Sequence, residues 1–321
     1  MQNRTIAVLS LFTLTAAVLT ACSAPEQATD PSASSAADVG TLSLGWTPGP
    51  AGAAIPVTAD EGYWEDEGLT VDINNFNSGR EALESLLGGG VDAAILAELP
   101  AVTAALNEQP VVVVDSLSTF DAYRVIGSSA HGITDDLSSL DGKKIATTVG
   151  TNMQFVTDEL LTEAGVDAEI VNVGAADIVA ALSRGDVDAA VMFASFYNGA
   201  EEALGDDYVE IPISPDLYTG NMLVAVQQSA IDENPEAVQA LVDGLVKGAD
   251  YVEANASDAQ EKLISAAPTL TTDYLATVWD NYDFTPELPD ALVALMVREG
   301  LWVQKQGNAG QGVTVDEDFF T

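Results

Sequence analysis

The sequence predicts an α/β protein made of two similar lobes with a cleft between them. A related stretch occurs twice, at residues 79–96 and 175–192, and both copies contain Val-Asp-Ala-Ala. In each copy, apolar residues at helical spacing precede a glycine stop, at 88–90 or at Gly185, and a short apolar strand follows. One such unit cannot cover both faces of its strand, so two copies predict two lobes. Chance similarity between short α/β units is the alternative.

Length and charge limit the possible functions. The chain has 321 residues, of which 47% are apolar, so about two domains with a substantial core can form. It contains 50 Asp and Glu against 10 Lys and Arg, which gives a formal net charge of -40. Binding to nucleic-acid phosphates needs a basic face, so the composition argues against a nucleic-acid role. The acids are scattered, as on a heavily hydrated surface that stays soluble at high salt.

The N-terminal residues predict export and a membrane anchor. Arg4 precedes a mainly apolar run at 6–18, which is too short to span a membrane and ends in Leu-Thr-Ala-Cys at 19–22. This ending resembles the lipobox of bacterial lipoproteins, which implies cleavage before Cys22 and acylation of Cys22. Residues 1–21 are therefore the predicted signal peptide, and residues 22–39 a flexible tether rich in Ser, Ala, Pro and acids. A plain secretory signal with a chance cysteine is the alternative.

Several further segments occur in a familiar order. Gly-Trp-Thr-Pro stands at 45–48, Gly-Tyr-Trp-Glu-Asp-Glu-Gly-Leu at 62–69 and Asn-Ser-Gly at 77–79. Asp-Leu-Ser-Ser-Leu-Asp-Gly-Lys-Lys follows at 136–144. The series resembles the substrate-binding proteins of ABC importers, in the branch that binds nitrate, sulfonates, taurine and the thiamine pyrimidine precursor. The resemblance covers about residues 41–222.

This resemblance implies a two-lobed periplasmic-binding-protein fold, similar to type 2, with two crossovers between the lobes. The first lobe is expected at residues 40–124 and 222–321, and the second at 125–221. Pro235 predicts a helix start, and Val238, Leu241 and Leu245 continue at helical spacing. In the family, these C-terminal helices pack on the first lobe.

The residue inventory argues against an enzyme. The sequence contains no nucleophile elbow, no phosphate-binding glycine loop and no metal-ligand spacing. Cys22 and His131 are the single cysteine and histidine, so we expect neither a metal nor a cofactor. The enzyme alternative is a synthase of the thiamine pyrimidine, which shares the fold and, by the resemblance, uses a histidine and iron. His131 lies between strand and turn signals, where a surface position is expected.

In α/β lobes, ligands lie beyond the carboxyl ends of the strands, and the loops there supply the candidate site. The predicted solute-binding residues are Trp46, Asn77, Ser78, Gly79, Glu98, Thr119, Phe120, Asp121, Thr151, Asn152, Met153, Phe193, Ser195, Phe196, Tyr218 and Asn221.

Three of these positions have a purely structural alternative. Trp46 is either a pocket wall or a hydrophobic plug. Residues 77–79 offer backbone N–H groups to an anion, and they also suit helix capping. Glu98 is either a cleft carboxylate that favours an amine-bearing solute or an exposed charge beside the pocket.

The candidate loops are rich in aromatic residues and contain no Lys or Arg, although Arg80 and Arg124 are close in sequence. Nitrate or a doubly charged oxyanion would require more positive charge. Taurine could place its ammonium near Glu98 or Asp121, and a flat aromatic amine could stack on Phe or Trp. The sequence is compatible with both of these solutes.

The sequence thus predicts a monomeric, lipid-anchored solute-binding protein on the outer face of the cell membrane. It would capture a small organic solute and deliver it to an ABC permease and its ATPase. A ligand sensor that docks on a membrane receptor is a further alternative.

Overall fold

The structure, a computed structural model, describes residues 37–285, 288 and 290–320. The predicted signal peptide, Cys22 and the tether up to residue 36 lie outside the described residues. Within the described part, strands and helices alternate along most of the chain, as the sequence predicts.

The strands are β1 Gly40–Trp46, β2 Leu69–Asn75, β3 Ala93–Ala97, β4 Val111–Phe120, β5 Tyr123–Ser128, β6 Lys144–Thr147, β7 Glu169–Asn172, β8 Ala189–Phe193, β9 Tyr208–Pro212, β10 Gly220–Gln227 and β11 Tyr282–Asp283. The helices are α1 Ala54–Glu61, α2 Tyr63–Asp66, α3 Gly79–Leu87, α4 Glu98–Leu106, α5 Asn152–Ala164, α6 Ile178–Arg184, α7 Tyr197–Leu204, α8 Gln228–Glu233, α9 Pro235–Ala254, α10 Ala256–Ala266, α11 Thr272–Val278 and α12 Asp290–Lys305.

The strands form two sheets with the same internal order. From its β2 edge, the first sheet runs β2-β1-β3-β10-β4-β11, and the second runs β7-β6-β8-β5-β9. In both sheets the first three strands are parallel, and the fourth is antiparallel to its neighbours. Both sheets belong to one compact unit. The prediction of two similar α/β lobes is confirmed, and we call the two sheets with their helices the first and second lobe.

The repeated Val-Asp-Ala-Ala motif has the same role in both lobes. Asp92 accepts a hydrogen bond from the backbone N–H of Ser43 at 2.7 Å, and Asp188 accepts one from that of Lys144 at 2.8 Å. Leu44 pairs with Ala93, and Ile145 pairs with Ala189, so each aspartate ties the start of its strand to the neighbouring strand. The repeat therefore fixes the register of the central parallel pair in each sheet.

The chain passes between the sheets twice. It leaves the first sheet after Phe120 and enters the second at Tyr123, and it returns between Pro212 and Gly220. These crossings lie close to the proposed lobe limits after residues 124 and 221, which stay a prediction.

The helical segment that follows β1 is broken into two helices. Its two parts, α1 and α2, meet at Gly62, which adopts a left-handed conformation with φ of 74°. Glycine takes this conformation without the steric cost that a side chain would add. The break turns the buried Trp64 toward α9, where its Nε1 donates to the carbonyl of Leu241 at 3.1 Å.

The C-terminal helices pack on the first lobe, as predicted. Helix α9 begins at Pro235 and lies against α1, where Thr58 donates to the carbonyls of Ala54 at 2.7 Å and Gly244 at 3.2 Å. Among the described helices, none combines the length and apolar character that a membrane crossing requires.

Gly248→Ala is expected to lower the free energy of unfolding by about 1–2 kcal/mol, although alanine is the better helix former. A Cβ atom at Gly248 would lie 2.0 Å from Thr58 Oγ1 and 2.8 Å from the Ala54 carbonyl oxygen, so α9 would have to move away from α1. Urea unfolding measures the change. Gln239→Ala, on the exposed side of α9, is the control and should stay within about 0.5 kcal/mol of the native protein. Equal stability of the two variants would contradict this packing.

Candidate functional site between the lobes

The candidate site forms where strand ends of both lobes meet. Glu98 begins α4 directly after β3, and Asn152 begins α5 on the second lobe. Tyr218 lies in the second crossover, and Asn221 lies in β10 next to Thr119 of β4. The topology thus brings residues that are far apart in sequence to one point.

Hydrogen bonds converge on the Glu98 carboxyl group. Its Oε1 accepts from Asn152 Nδ2 at 2.9 Å and from the Tyr218 hydroxyl, and its Oε2 accepts from the backbone N–H of Asn221 at 2.9 Å. Glu98 is completely buried, and the other three residues are at most 8% exposed. Its position is therefore an interlobe contact and not an exposed charge beside a pocket.

A second buried acid, Glu299 of α12, completes this group. Asn152 Nδ2 donates to Glu299 Oε1 at 3.4 Å, and Glu299 is also completely buried. Glu299 is not among the solute-binding residues predicted from the sequence. A signal was available, because Glu299 continues the buried stripe formed by Leu292, Leu295, Met296 and Val303. We call Glu98, Asn152, Tyr218, Asn221 and Glu299 the interlobe cluster.

The two carboxyl groups differ in their electrostatics. Burial raises the pKa of Glu299 well above its ordinary value, and the nearby Glu98 charge raises it further. Burial also raises the pKa of Glu98, but the hydrogen bonds from Tyr218 and Asn221 oppose the rise. Glu299 therefore keeps its proton to higher pH than Glu98, and Glu98 is the first of the pair to ionise.

Aromatic rings line one side of the cluster. The Tyr123 ring lies 5.4 Å from the Tyr218 ring and 5.5 Å from the Phe193 ring, and Phe120 lies 6.0 Å from Phe193. The structure thus connects three predicted aromatic residues through Tyr123, which the sequence analysis did not include. Burial raises the pKa of the Tyr123 hydroxyl, and the Glu98 and Glu299 charges raise it further.

The Arg124 side chain forms ion pairs and a hydrogen bond at the first crossover. Its guanidinium contacts the Asp121 carboxylate at 3.0 Å and the Glu210 carboxylate at 3.6 Å, and it donates to Asn281 Oδ1 at 3.1 Å. The predicted residue Asp121 therefore pairs with arginine at the crossover. In the described residues, no Lys or Arg side chain forms a hydrogen bond or ion pair with the interlobe cluster.

Sequence comparison assigns the chain to a protein family. The family model described as NMT1/THI5 like matches residues 50–259, which is more than half of the chain. The chain belongs to the NMT1/THI5-like family. The family resemblance predicted from the ordered motifs is confirmed.

A relative of this NMT1/THI5-like chain is the 4-amino-5-hydroxymethyl-2-methylpyrimidine phosphate synthase of Aspergillus parasiticus. The two are 26% identical over 247 residues, which cover 72% of this chain and 72% of the relative. A similarly named Saccharomyces cerevisiae enzyme, THI13, is 26% identical over 248 residues, which cover 73% of this chain and 72% of that protein.

Solved structures share the fold. The periplasmic aliphatic sulphonate binding protein of Escherichia coli superposes with a TM-score of 0.75 at 17% identity, covering 86% of this chain and 91% of that chain. The alkanesulfonate-binding protein of Xanthomonas axonopodis pv. citri, solved with MOPS, gives a TM-score of 0.67 at 15% identity, covering 84% and 94%. This NMT1/THI5-like protein therefore has the periplasmic-binding-protein fold, as predicted.

The remaining predicted residues of the first lobe have structural roles. Asn77 donates through its backbone N–H and its Nδ2 to Glu81 Oε2, each at 3.1 Å, and Ser78 Oγ accepts from the Glu81 N–H at 3.2 Å. The helix-capping interpretation of residues 77–79 is confirmed, and Gly79 lies against Leu96. Trp46 is buried, and its Nε1 donates to Asn75 Oδ1 at 2.8 Å. A role for these residues in solute binding stays a prediction.

On the second lobe, Met153 is buried and Thr151 donates to the carbonyl of Thr148 at 2.6 Å. Ser195 is exposed and Phe196 half-buried, in a short turn after β8. Within the described part of the chain, no hydrogen bond joins Thr151, Ser195 or Phe196 to the interlobe cluster. Their part in a solute site also stays a prediction.

A separate groove of about 770 Å³ lies on the first lobe, between the end of β1, the β2 edge and α10. Trp46, Ile73, Asn75 and Lys262 line it. The Lys262 ammonium is already held by carboxylates, among them Glu61 at 2.9 Å. The groove is lined by first-lobe residues, so it is distinct from the interlobe cluster.

His131 lies at the opposite end of the second sheet from the cluster. Its Nδ1 is 3.0 Å from Asp188 Oδ1, at the start of β8, whereas Phe193 at the end of β8 faces the aromatic rings. Among the described residues, no group of three or more His, Cys, Asp and Glu side chains is arranged to hold a metal ion.

Proposed function

We infer that this protein is the solute-binding component of an ABC importer and that it encloses a small organic solute between its two lobes. The interlobe cluster carries this inference. Its donors and acceptors come from both lobes and from the second crossover, so the cluster assembles only when the lobes close. Closure of two domains around a ligand is the usual motion of such binding proteins.

The chemistry of the cluster favours a solute that bears an amine or several N–H donors. Two buried carboxyl groups, Glu98 and Glu299, face the same point, and Arg124 is engaged elsewhere. A solute that carries only an anionic group would meet like charge in a region of low dielectric. A sulfonate group is compatible when the same molecule also carries an ammonium group, as in taurine.

The aromatic rings favour a flat amine over an aliphatic one. Tyr123 and Tyr218 lie beside the carboxyl pair, and Phe193 packs on Tyr123. Aromatic faces stack on heteroaromatic rings. A pyrimidine amine resembling the thiamine precursor would use both features at once. The relative from Aspergillus parasiticus is named for a 4-aminopyrimidine phosphate, and the amino-bearing ring of that compound, without its phosphate, has the chemistry that the cluster favours.

We propose that the protein binds this solute without converting it. The enzyme alternative rests on the names of the relatives. The family resemblance implies that such a synthase uses a histidine and iron. His131 pairs with Asp188 at the far end of β8, and the described residues offer no metal-binding group beside the cluster. The residues around Glu98 suit hydrogen bonding and charge pairing.

The proposed partners are an ABC permease and its ATPase, reached by a monomer on the outer face of the cell membrane. Lipidation at Cys22 would hold the protein there. Structural similarity to periplasmic sulphonate-binding proteins supports an extracytoplasmic location.

A thermal-shift panel tests the proposal. We expect taurine or an aminopyrimidine to raise the melting temperature, since a ligand at about 100 times its Kd stabilises the folded state by about 2.7 kcal/mol. Ethanesulfonate, which lacks an amine, is the matched control and should have little effect. Turnover of a bound aminopyrimidine would contradict the proposal in favour of an enzyme, and a response to ethanesulfonate alone would contradict the predicted solute chemistry.

A further inference from the structure

Helix α12 reaches across to the second lobe. Trp302 Nε1 donates to Asp158 Oδ2 at 2.8 Å, and its ring lies 5.7 Å from the ring of Phe155 in α5. Arg298 donates to the carbonyl of Leu217 in the second crossover at 2.9 Å. Glu299 lies between these anchors, so its carboxyl group is held toward the cleft.

The interlobe cluster contains more acceptors than donors. Asn152 Nδ2 lies within hydrogen-bond distance of Glu98, Tyr218 and Glu299, but an amide nitrogen carries only two hydrogens. Among the described residues, Asn221 Oδ1 is buried without a hydrogen-bond partner, and Glu299 Oε2 receives no hydrogen bond, so the Glu299 carboxyl proton is shared with Glu98. Buried acceptors of this kind are rare and costly, and each calls for an explanation.

A ligand with several donors supplies that explanation. Asn152 belongs to the second lobe, so its amide leaves Glu98 and Glu299 when the lobes part. Two carboxyl groups and the Asn221 side-chain oxygen then face the open cleft together. An ammonium or amidinium group carries several N–H donors and one positive charge, which matches this acceptor set.

We propose that Glu299 of the C-terminal helix is the second carboxyl group of the solute site, and that Glu98 and Glu299 together select solutes with a cationic N–H donor group. This inference rests on the proposed solute-binding function and names the residue pair that decides its specificity.

Binding of such a cation is expected to release a proton from Glu299. In the closed cluster, burial and the neighbouring Glu98 raise the pKa of Glu299, so without a cationic solute the closed pair favours one negative charge. The solute brings one positive charge, which favours ionisation of Glu299, and the Glu299 proton passes to the solvent. The titratable and charged groups that face Glu299 are Glu98, Tyr218, Tyr123 and Arg298.

Isothermal titration calorimetry in two buffers of different ionisation enthalpy tests this proton release at a series of pH values above 4.5, the ordinary pKa of glutamate. The probes are taurine, benzamidine and 4-amino-5-hydroxymethyl-2-methylpyrimidine, with ethanesulfonate as the anion without an amine. For the native protein we expect at least one amine-bearing probe to bind with release of a proton. Glu299→Gln should bind the same probe at least about tenfold more weakly, equivalent to about 1.4 kcal/mol, without proton release.

A second variant keeps the test decisive if Glu299→Gln folds poorly. Glu98→Gln removes the neighbouring charge that raises the pKa of Glu299, so it should release less of a proton and also bind more weakly. Glu163→Gln, an exposed acid near the end of α5, carries the same charge change and should behave like the native protein.

The outcomes separate this inference from the proposed function. Unchanged affinity and proton release in Glu299→Gln would overturn the role of Glu299 and leave solute binding intact. Tight binding of ethanesulfonate by the native protein would overturn the selection for cations. A native protein that binds none of the probes would overturn the proposed function, and the inference with it.

Discussion

Replacing Glu98 by alanine is expected to lower the free energy of unfolding by about 2–4 kcal/mol. The change leaves Asn152 Nδ2, the Tyr218 hydroxyl and the Asn221 N–H without their shared acceptor in a completely buried position. Each buried donor left unpaired costs about 1–3 kcal/mol, and the lost side-chain atoms add a cavity. Relief from burying a carboxyl group offsets part of this cost, because burial raises the pKa of Glu98.

Urea unfolding followed by circular dichroism measures this effect. Glu163→Ala is the matched control, because it removes one exposed acid from the same protein, and it should change stability by less than about 0.5 kcal/mol. If Glu98→Ala were as stable as Glu163→Ala, the closed cluster would not contribute to the folded state. A Glu98→Ala protein that lost stability would support the arrangement of donors around Glu98.

The second prediction concerns pH, and we expect the Glu299 carboxyl group to stabilise the protein less as pH rises. Below the ordinary pKa of 4.5, Glu299 is protonated in both the folded and the unfolded chain, so its contribution is fully present. Above that value the unfolded chain releases the proton while the folded protein keeps it. The free energy of unfolding then falls by at most about 1.4 kcal/mol per pH unit for this proton, until pH passes the raised pKa of the folded state.

A comparison of Glu299→Gln with the native protein separates the contribution of Glu299 from that of the other Asp and Glu residues, since the chain contains 50 in all. Glutamine resembles the protonated acid and cannot ionise, so the variant should gain stability relative to the native protein as pH rises above 4.5. Unfolding at a series of pH values measures the difference between the two proteins. Glu163→Gln should follow the native curve, and parallel curves for the native protein and Glu299→Gln would contradict a protonated Glu299.

Both predictions depend on two acids, Glu98 and Glu299, that lie far apart in the sequence and meet only in the folded protein. Asn152 and Glu299 are 147 positions apart, and Tyr218 and Glu98 are 120 apart. A hydrophobic pattern places Glu299 on the buried stripe of α12 but cannot say which side chains lie opposite it. Glu98 was predicted at the cleft because it directly follows a strand, and the structure adds its complete burial.

The two-lobed α/β architecture and the family could be predicted from the residues alone. The repeated helix–glycine–strand unit depends on local periodicity and on glycines such as Gly185, with φ of 71°, and both are encoded within a few residues. The division of the candidate residues between helix capping and the interlobe cluster depends on how the chain packs. Asn77 and Ser78 cap α3, whereas Glu98, Asn152, Tyr218 and Asn221 meet Glu299 between the lobes. The reason is physical: burial and hydrogen bonding at a junction of four distant segments depend on packing, which no local pattern in the chain specifies.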